Sequence, residues 1–332
     1  MHRQPVAWWG CALTCVLACA FPALALPLAA PTPGAWQAVA PYGGPALRGA
    51  EAFAVGEAAY VVAGTDGAGT LRSQFWKYDP ATNTWTSKAD FPGVPTEDGT
   101  GFSIGSTGYV CFGSGASGLV RECWRYDPAA DAWMRVASFP GVARAGCVAV
   151  TLGDKAYVFG GSTQAGYADD LWEYDPALDA WTRMADCPGL GRFLPAAFAI
   201  GGHIYIATGR TGNADDAYTC DVLEYDPLSN VWIRRADFPG TARGYALGVS
   251  VGGKGYLAFG QLPGSALTLS AEVWEYDASS DVWTRKADFL GGARAMAVGF
   301  VLGSDLYFGL GMDLTDHNRR DFWRMRPIAT AP

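Results

Sequence analysis

The stretch Asp170-Leu171-Trp172-Glu173-Tyr174-Asp175-Pro176, followed by Trp181 and by Ala185-Asp186-Cys187-Pro188-Gly189, is one copy of a unit that recurs through the chain. Its Tyr-Asp pair runs in a series of Tyr78-Asp79, Tyr126-Asp127, Tyr174-Asp175, Tyr225-Asp226 and Tyr276-Asp277, at steps of 48, 48, 51 and 51 residues. A tryptophan follows each pair (Trp85, Trp133, Trp181, Trp232, Trp283) and leads into a corner like Asp-Phe-Pro-Gly. A period near fifty marks a repeat architecture, in which no unit buries its apolar faces alone and each neighbour supplies part of the core. Phe322-Trp323-Arg324-Met325-Arg326-Pro327 opens a further copy that has no tryptophan after it, while Trp36 lies 49 residues before Trp85. An orphan tryptophan strand at the start thus matches an unfinished unit at the end.

Each unit reads as four short strands. In the third, Arg144 to Thr151 is an apolar run, Gly153-Asp154 a tight turn, and Ala156 to Phe159 a second run ended by Gly160-Gly161. Leu171 to Tyr174 is the third strand, and the fourth starts near Trp181. Between them, Asp175 and Pro176 set a turn that Asp179 closes, as Asn83, Asp131, Asn230 and Asp281 do elsewhere; Asp and Asn tolerate the bend and Pro fixes φ. Helical periodicity is absent at any useful length. Four antiparallel strands per unit, repeated about an axis, predict an all-β propeller.

The glycine-ended second strand, the Tyr-Asp turn and the following tryptophan resemble the kelch repeat, over Trp36 to Pro327. The resemblance implies a kelch-type β-propeller of the galactose oxidase-like superfamily, with six four-stranded blades closed by the Trp36 strand. Only Gly160-Gly161 keeps the double glycine of that family. Gly64, Gly113, Gly209, Gly260 and Gly311 read as its first member alone. Closure has a physical motive, since an open ring exposes an edge strand at each end.

Residues 1–30 read as an export signal, with Arg3, an apolar stretch through Ala25 and small residues at Ala23-Leu24-Ala25 or Leu28-Ala29-Ala30, which leaves 31–332 as one propeller domain. Pro22 and Pro27 interrupt the stretch before it reaches membrane-spanning length, and no other segment is long enough. Val16-Leu17-Ala18-Cys19 resembles a lipoprotein box, so the expected locations are secreted, periplasmic or cell surface, free or anchored through Cys19. The net charge of −8 becomes −9 on loss of Arg3, a poor match for nucleic acid or anionic membranes, and a monomer is expected. Cleavage after Ala25 leaves Cys111, Cys123, Cys147, Cys187 and Cys220. Cys111 with Cys123 and Cys187 with Cys220 are pairing options, buried free thiols the other, and the spacings are not those of a zinc site.

In a kelch-like blade the loops after strands two and four share a face, where Asp66, Asp215, Asp216, Asp313 and Asp316 read as solvated tips without a calcium-loop series. An arginine recurs five residues after the corner position, at Arg144, Arg192, Arg243 and Arg294, with Arg48 close to register in the first blade and Thr96-Glu97 replacing it in the second. Two readings stand. The six residues Arg48, Glu97, Arg144, Arg192, Arg243 and Arg294 line the channel mouth and grip an acidic group, or each arginine pairs with an acid at the start of strand three, such as Glu122, Asp170, Asp221, Glu272 or Asp321. A copper oxidase resembling galactose oxidase needs two histidine ligands on one face. Beyond the leader there are only His203 and His317, and His203 reads as a hairpin-turn residue on the other face. No metal, cofactor or catalytic triad is expected. The reading is a binding or interaction scaffold for protein or carbohydrate ligands on the loop face. The alternative is a sugar-processing enzyme resembling the sialic acid mutarotases among exported bacterial kelch-like proteins, with Glu97 as its acid-base group.

Overall fold

The computed structural model describes residues 30–328. The export signal with its Cys19 lies outside the described residues, residue 30 aside. Among the described residues there is no helix, and there are six antiparallel sheets of four strands. Blade 3 is Val148–Leu152, Lys155–Phe159, Leu171–Asp175 and Ala180–Arg183. Blades 1, 2, 4 and 5 repeat it with innermost strands Glu51–Val55, Thr100–Ile104, Ala196–Ile200 and Leu247–Val251. Blade 6 is Val298–Leu302, Asp305–Gly309, Phe322–Met325 and, as its outermost strand, Trp36–Val39. Trp36 faces Met325 and Val39 faces Phe322, so the orphan strand completes the last blade as its sequence implied. The innermost strand of blade 3 starts at Val148 rather than at Arg144, because Gly146 takes φ 64° and breaks the extended run.

No single centre exists. Six apolar clusters lie between successive blades, the seam pair included: Val298, Phe300, Tyr307 and Phe322 of blade 6 pack on Ala59, Val61 and Tyr78 of blade 1. This arrangement explains why the repeat is the unit of stability, since each blade contributes half of two cores. Around the axis the innermost strands carry small residues. Gly101, Gly248 and Gly299 leave no room for a Cβ, which would come within 2.8 Å of the Ala52 oxygen, 2.4 Å of the Ala197 backbone and 2.4 Å of Leu247.

The recurring tyrosine, Asx and tryptophan turn out to be one clasp. Tyr174 Oη donates to Asp179 Oδ1 at 2.8 Å, and the same oxygen accepts the Ala137 N–H of blade 2 at 2.9 Å. Trp181 Nε1 then donates to Ala137 O at 3.0 Å. Tyr78, Asn83 and Trp85 hold Ala40 in the same way, and Tyr225, Asn230 and Trp232 hold Ala185. Asp179 sits at φ 48°, a conformation that Asp and Asn adopt more cheaply than other side chains. Blade 6 lacks the clasp tyrosine, having Met325 there, and its left-handed position is Gly34, which needs no partner for an Asx oxygen. Trp36 still reaches back to Ala287 O at 3.3 Å and stacks edge-on against Phe289.

A second set of ties joins the blades on the loop face. The N–H groups of Gly64, Gly113, Gly161, Gly209, Gly260 and Gly311 donate to the carbonyls of Thr96, Arg144, Arg192, Arg243, Arg294 and Leu47, each in the next blade, at 2.8–3.0 Å. The register corrects the glycine reading: Gly64 and its equivalents match Gly161, the second member of the pair. The first position is Ala63, Phe112, Gly160, Thr208, Phe259 or Leu310, all with φ between 57° and 72°. The second position is glycine in every blade, and at Gly260 a Cβ would lie 2.9 Å from the Gly244 oxygen at φ 113°; the first position carries a side chain in five blades and excludes one at Gly160, where a Cβ would lie 2.7 Å from the Arg192 oxygen.

Among the described residues one pair of cysteines is oxidised. Cys111 and Cys123 oppose each other on strands two and three of blade 2 and form a disulfide. Cys147, Cys187 and Cys220 are free, so the Cys187–Cys220 option is not realised.

Because Trp36 fastens the first strand to both blade 6 and the corner of blade 5, Trp36→Ala is expected to destabilise the fold. Its half-buried ring puts the loss at about 2–3 kcal/mol. Urea denaturation should show a lower midpoint at unchanged slope, and an unaltered midpoint would rule out this closure.

Candidate functional site

The recurring arginines divide into two groups. Arg144, Arg192, Arg243 and Arg294 are all at most 2% exposed. Arg144 forks onto Asp170, Nη1 to Oδ1 at 2.5 Å and Nη2 to Oδ2 at 2.9 Å, and Nη1 also donates to Gly160 O at 2.9 Å. Arg192 reaches Asp221 at 2.7 Å, Arg243 reaches Glu272 at 2.6 Å and Arg294 reaches Asp321 at 2.6 Å, each inside its own blade. Each also bonds the left-handed carbonyl that ends strand two: Thr208, Phe259 or Leu310. Phe139, Phe238 and Phe289 lie under three of the guanidiniums at 4.7–5.0 Å. The strand-three tryptophans Trp172, Trp274 and Trp323 donate to the same acids.

These four arginines therefore do not converge on an anion at the axis. They follow the pairing alternative, bracing strand one against the strand two–three connection. Burial raises the Asp170, Glu272 and Asp321 carboxyls, but hydrogen bonds from the arginine and tryptophan outweigh it and hold all three below the usual carboxylate range. Blade 1 has lost both partners together, with Leu47 for the arginine and Gln74 for the acid, whereas in blade 2 Thr96 leaves Glu122 to pair with Arg135 at 3.2 Å.

Arg48 belongs to the next register. Aligned on the glycines, Leu47 occupies the brace position, and Arg48 shares its place with Glu97, Ala145, Phe193, Gly244 and Ala295. The offset turns Arg48 and Glu97 to the mouth side. Glu97 Oε2 accepts Thr65 Oγ1 at 2.6 Å and lies 4.0 Å from Arg48 Nε, and Arg48 Nη1 lies 3.4 Å from Asp316 Oδ1. One residue further on, all six blades turn left-handed, at Gly49, Asp98, Gly146, Leu194, Tyr245 and Met296 (φ 46–64°). Backbone hydrogen bonds run round this turn from blade to blade: Gly49 to Met296, Asp98 to Gly49, Gly146 to Asp98, Leu194 to Gly146 and Tyr245 to Leu194. The mouth is therefore a turn tied at five of its six blade junctions, with different side chains on it.

One sector of that ring is acidic. Burial pushes the Asp98 carboxyl up to about 7, Glu97 adds to the rise and Arg48 opposes it. Below it Glu51, only 2% exposed, accepts the Gly99 N–H at 2.8 Å through Oε1, and burial, with Asp98 and Glu97 adding to it, drives its carboxyl well above the normal range. Glu51 lines an axial cavity of about 180 Å³ whose other walls are mostly Ala, Gly and Val, with Cys147 and Pro195. The opposite sector is aromatic. Tyr167 stacks on Phe193 at 5.6 Å, Phe193 meets Tyr245 edge-on at 5.4 Å, and the Arg210 guanidinium lies 5.9 Å from the Tyr218 ring centre. Tyr245 belongs to blade 5, three blades round the ring from Asp98 of blade 2, and burial first, and then the Asp98 charge, raises its hydroxyl to about 12.

Asp98, Glu51 and the aromatic sector went unread in the sequence. The available signal for Asp98 was that it stands where Gly49 and Gly146 stand; Phe193 and Tyr245 lie in adjacent columns of the repeat, whereas Tyr167 and Tyr218 come from unequal loops. Of the acidic loop tips, Asp66 is not solvated. It is 7% exposed, accepts the Ala68 and Thr70 N–H groups at 2.9 Å and pairs with Arg72, the Thr70 bond being the main reason its carboxyl is lowered. Asp313 likewise organises its own loop, through Thr315 and His317, whereas Asp215, Asp216 and Asp316 are exposed. His203 starts strand two of blade 4 beside Glu224 at 3.2 Å. Among the described residues no group of three His, Cys, Asp or Glu side chains is placed to hold a metal ion, and no helix is long and apolar enough to cross a membrane.

Four-stranded blades tied by glycine and Tyr-Asx-Trp clasps around a small-residue channel define a kelch-type β-propeller. The model of the attractin/LZTR1 β-propeller family matches residues 34–247, and the chain belongs to that family. Among solved structures, that of YjhT superposes with a TM-score of 0.74 at 18% identity, covering 86% of this chain and 95% of that one, a likeness of fold. No curated protein sequence matches the chain.

The division of the arginines is testable. Arg294→Ala strands Asp321 and the Leu310 carbonyl and should cost on the order of 3 kcal/mol, while the half-exposed Arg48→Ala should cost less than about 0.5 kcal/mol. Equal losses in urea denaturation would contradict the division. Asp98 gives a pH signature. Its proton is held to about pH 7 in the fold and released near about 4 in the unfolded chain, so the stability it contributes is complete below the lower value and lost as pH rises through the upper one. Asp98→Asn removes that loss. Its melting temperature should match the parent near pH 4 and exceed it by a widening margin up to pH 7, whereas a pH-independent difference would refute the assignment.

Proposed function

We propose that this propeller is an exported binding and interaction scaffold, free in the secreted or periplasmic space or held at the cell surface, that engages a protein or carbohydrate ligand on its loop face. The observation that carries this reading is the division of labour around the mouth. Four arginines are consumed inside the blades, and what remains at the axis is a hydrogen-bonded turn that carries the carboxyls Glu97 and Asp98 in blade 2 and Phe193 and Tyr245 in blades 4 and 5. Aromatic faces beside hydrogen-bonding carboxylates are a common lining for ligand sites. A second reading, a sugar-processing enzyme resembling the sialic acid mutarotases, draws on Asp98. A carboxyl poised near 7 is suited to exchange protons at neutral pH, with Glu97 beside it.

A thermal-shift screen against neutral and acidic sugars, with and without calcium, tests the small-molecule branch. A ligand at a hundredfold excess over its Kd adds about 2.7 kcal/mol of stability. The mouth is the site if a sugar raises the melting temperature of the parent and not of an Arg48→Ala, Glu97→Gln double variant. Equal shifts in both proteins would place binding elsewhere. A sugar that binds should further be tested for anomer exchange by NMR, and retention of the full rate in Asp98→Asn would end the enzymatic reading.

A further inference from the structure

The six left-handed positions of the mouth are not equivalent. Blades 1 and 3 fill theirs with Gly49 and Gly146, whereas blades 4, 5 and 6 carry Leu194, Tyr245 and Met296 at φ 46°, 58° and 54°. Large side chains in this region are strained by about 1–2 kcal/mol each, and two blades of the same ring show that the fold is content with glycine. The three bulky residues belong to consecutive blades, so they stand side by side as a lip on one half of the ring. Across the ring from it are Glu97 and Asp98, with Arg48, itself shared with Asp316, as the cation on their side and Arg210 beside Tyr218 and Tyr245 on the other.

Beneath the carboxylates stands Glu51. Val148, Leu247 and Val298 occupy its register in blades 3, 5 and 6, so an aliphatic side chain satisfies the fold at this level. Glu51 is 2% exposed on the wall of the axial cavity, and its Oε2 has no hydrogen-bond partner. A buried carboxyl with an idle oxygen is costly unless something binds it. Around the mouth, the connections from strand four to the next blade expose Val94 (40%), Val142 (58%), Leu190 (66%) and Leu290 (66%). The loop face thus has exposed aliphatic side chains around a socket lined by three carboxyls, for which one cation, Arg48, is in reach of Glu97.

We propose that the loop face docks a basic protein segment, which inserts an arginine or lysine side chain into the channel mouth against Asp98, Glu97 and Glu51, with its alkyl stem on the lip of Leu194, Tyr245 and Met296. Aliphatic neighbours of the inserted residue cover the rim. The inference rests on the scaffold reading and names its partner. A methylene stem ending in a cation fits an apolar lip that faces carboxylates, the exposed aliphatics supply the apolar contact of a protein interface, and the net charge of −8 draws a basic partner in from solution.

The test measures binding of a blocked Leu-Leu-Arg-Leu-Leu peptide to the purified protein by calorimetry, beside the same peptide with citrulline for arginine, which keeps the stem and removes the charge. The arginine peptide should bind at least about tenfold tighter, more weakly as salt rises. Glu97→Gln with Asp98→Asn should lose that advantage while still melting cooperatively, and Met296→Gly should weaken binding without lowering the melting temperature. Equal affinity for the two peptides, or undiminished arginine preference in the double variant, overturns the inference. Sugar binding at the mouth without peptide binding sinks the basic-segment partner and leaves the scaffold reading standing; if neither binds there, both fall.

Discussion

The structure depends on the hydrogen bond by which a glycine at the end of each blade's second strand reaches the next blade. Its N–H donates to the backbone carbonyl at the start of the neighbouring blade, six times over, with Gly311 to Leu47 spanning the seam between the two ends of the chain. The bond forms only if the two backbones approach to contact distance, which excludes a Cβ at the donor. That approach fixes the spacing of the innermost strands and hence the width of the channel. It also places the next two residues of every blade on the rim of the mouth. Closure by Trp36, the six inter-blade cores and the Tyr-Asx-Trp clasps consolidate the ring from the outside, but the geometry of the site is set at the glycines.

From this constraint follows the different treatment of charge at adjacent positions. A residue whose side chain turns into the blade is sealed from water, so an arginine there needs an acid, a carbonyl and an aromatic ring, and finds all three in blades 3, 5 and 6. In blade 4, Cys187 stands where the ring would be. The residue one step on is turned to the mouth and is free to vary. Blade 1 puts Arg48 there, blade 2 Glu97 and blade 4 Phe193. Position in the repeat, rather than residue type, separates a brace from a candidate ligand contact.

The fold was legible because its ties are local and periodic. Tyr174 and Asp179 are five residues apart and meet within one turn, so the spacing survives in every blade that has the clasp, and the departure at Met325 coincides with the split copy. The braces were half legible. The arginines recur visibly, and three of their four acids recur two residues before a tryptophan, but nothing in a linear pattern says whether two charges meet inside a blade or face the axis. Arg48 was read with its neighbours because a one-residue offset looks small on paper, although in a strand it reverses the side chain. Asp98, Glu51 and the aromatic sector were invisible for a different reason. Asp98 and Glu51 are exceptions to their own columns of the repeat, Tyr167 and Tyr218 come from loops of unequal length, and exceptions have no period.

The central claim is that the glycine ties form one continuous ring, the seam included. Amide hydrogen exchange followed residue by residue tests it directly. The account predicts that the Gly311 amide, whose acceptor lies at the other end of the chain, exchanges as slowly as those of Gly161 and Gly260 in the interior blades. Exchange at Gly311 and Gly34 that is orders of magnitude faster than at Gly161 would mean that the seam opens independently, and that the mouth is not the fixed ring on which the binding account stands.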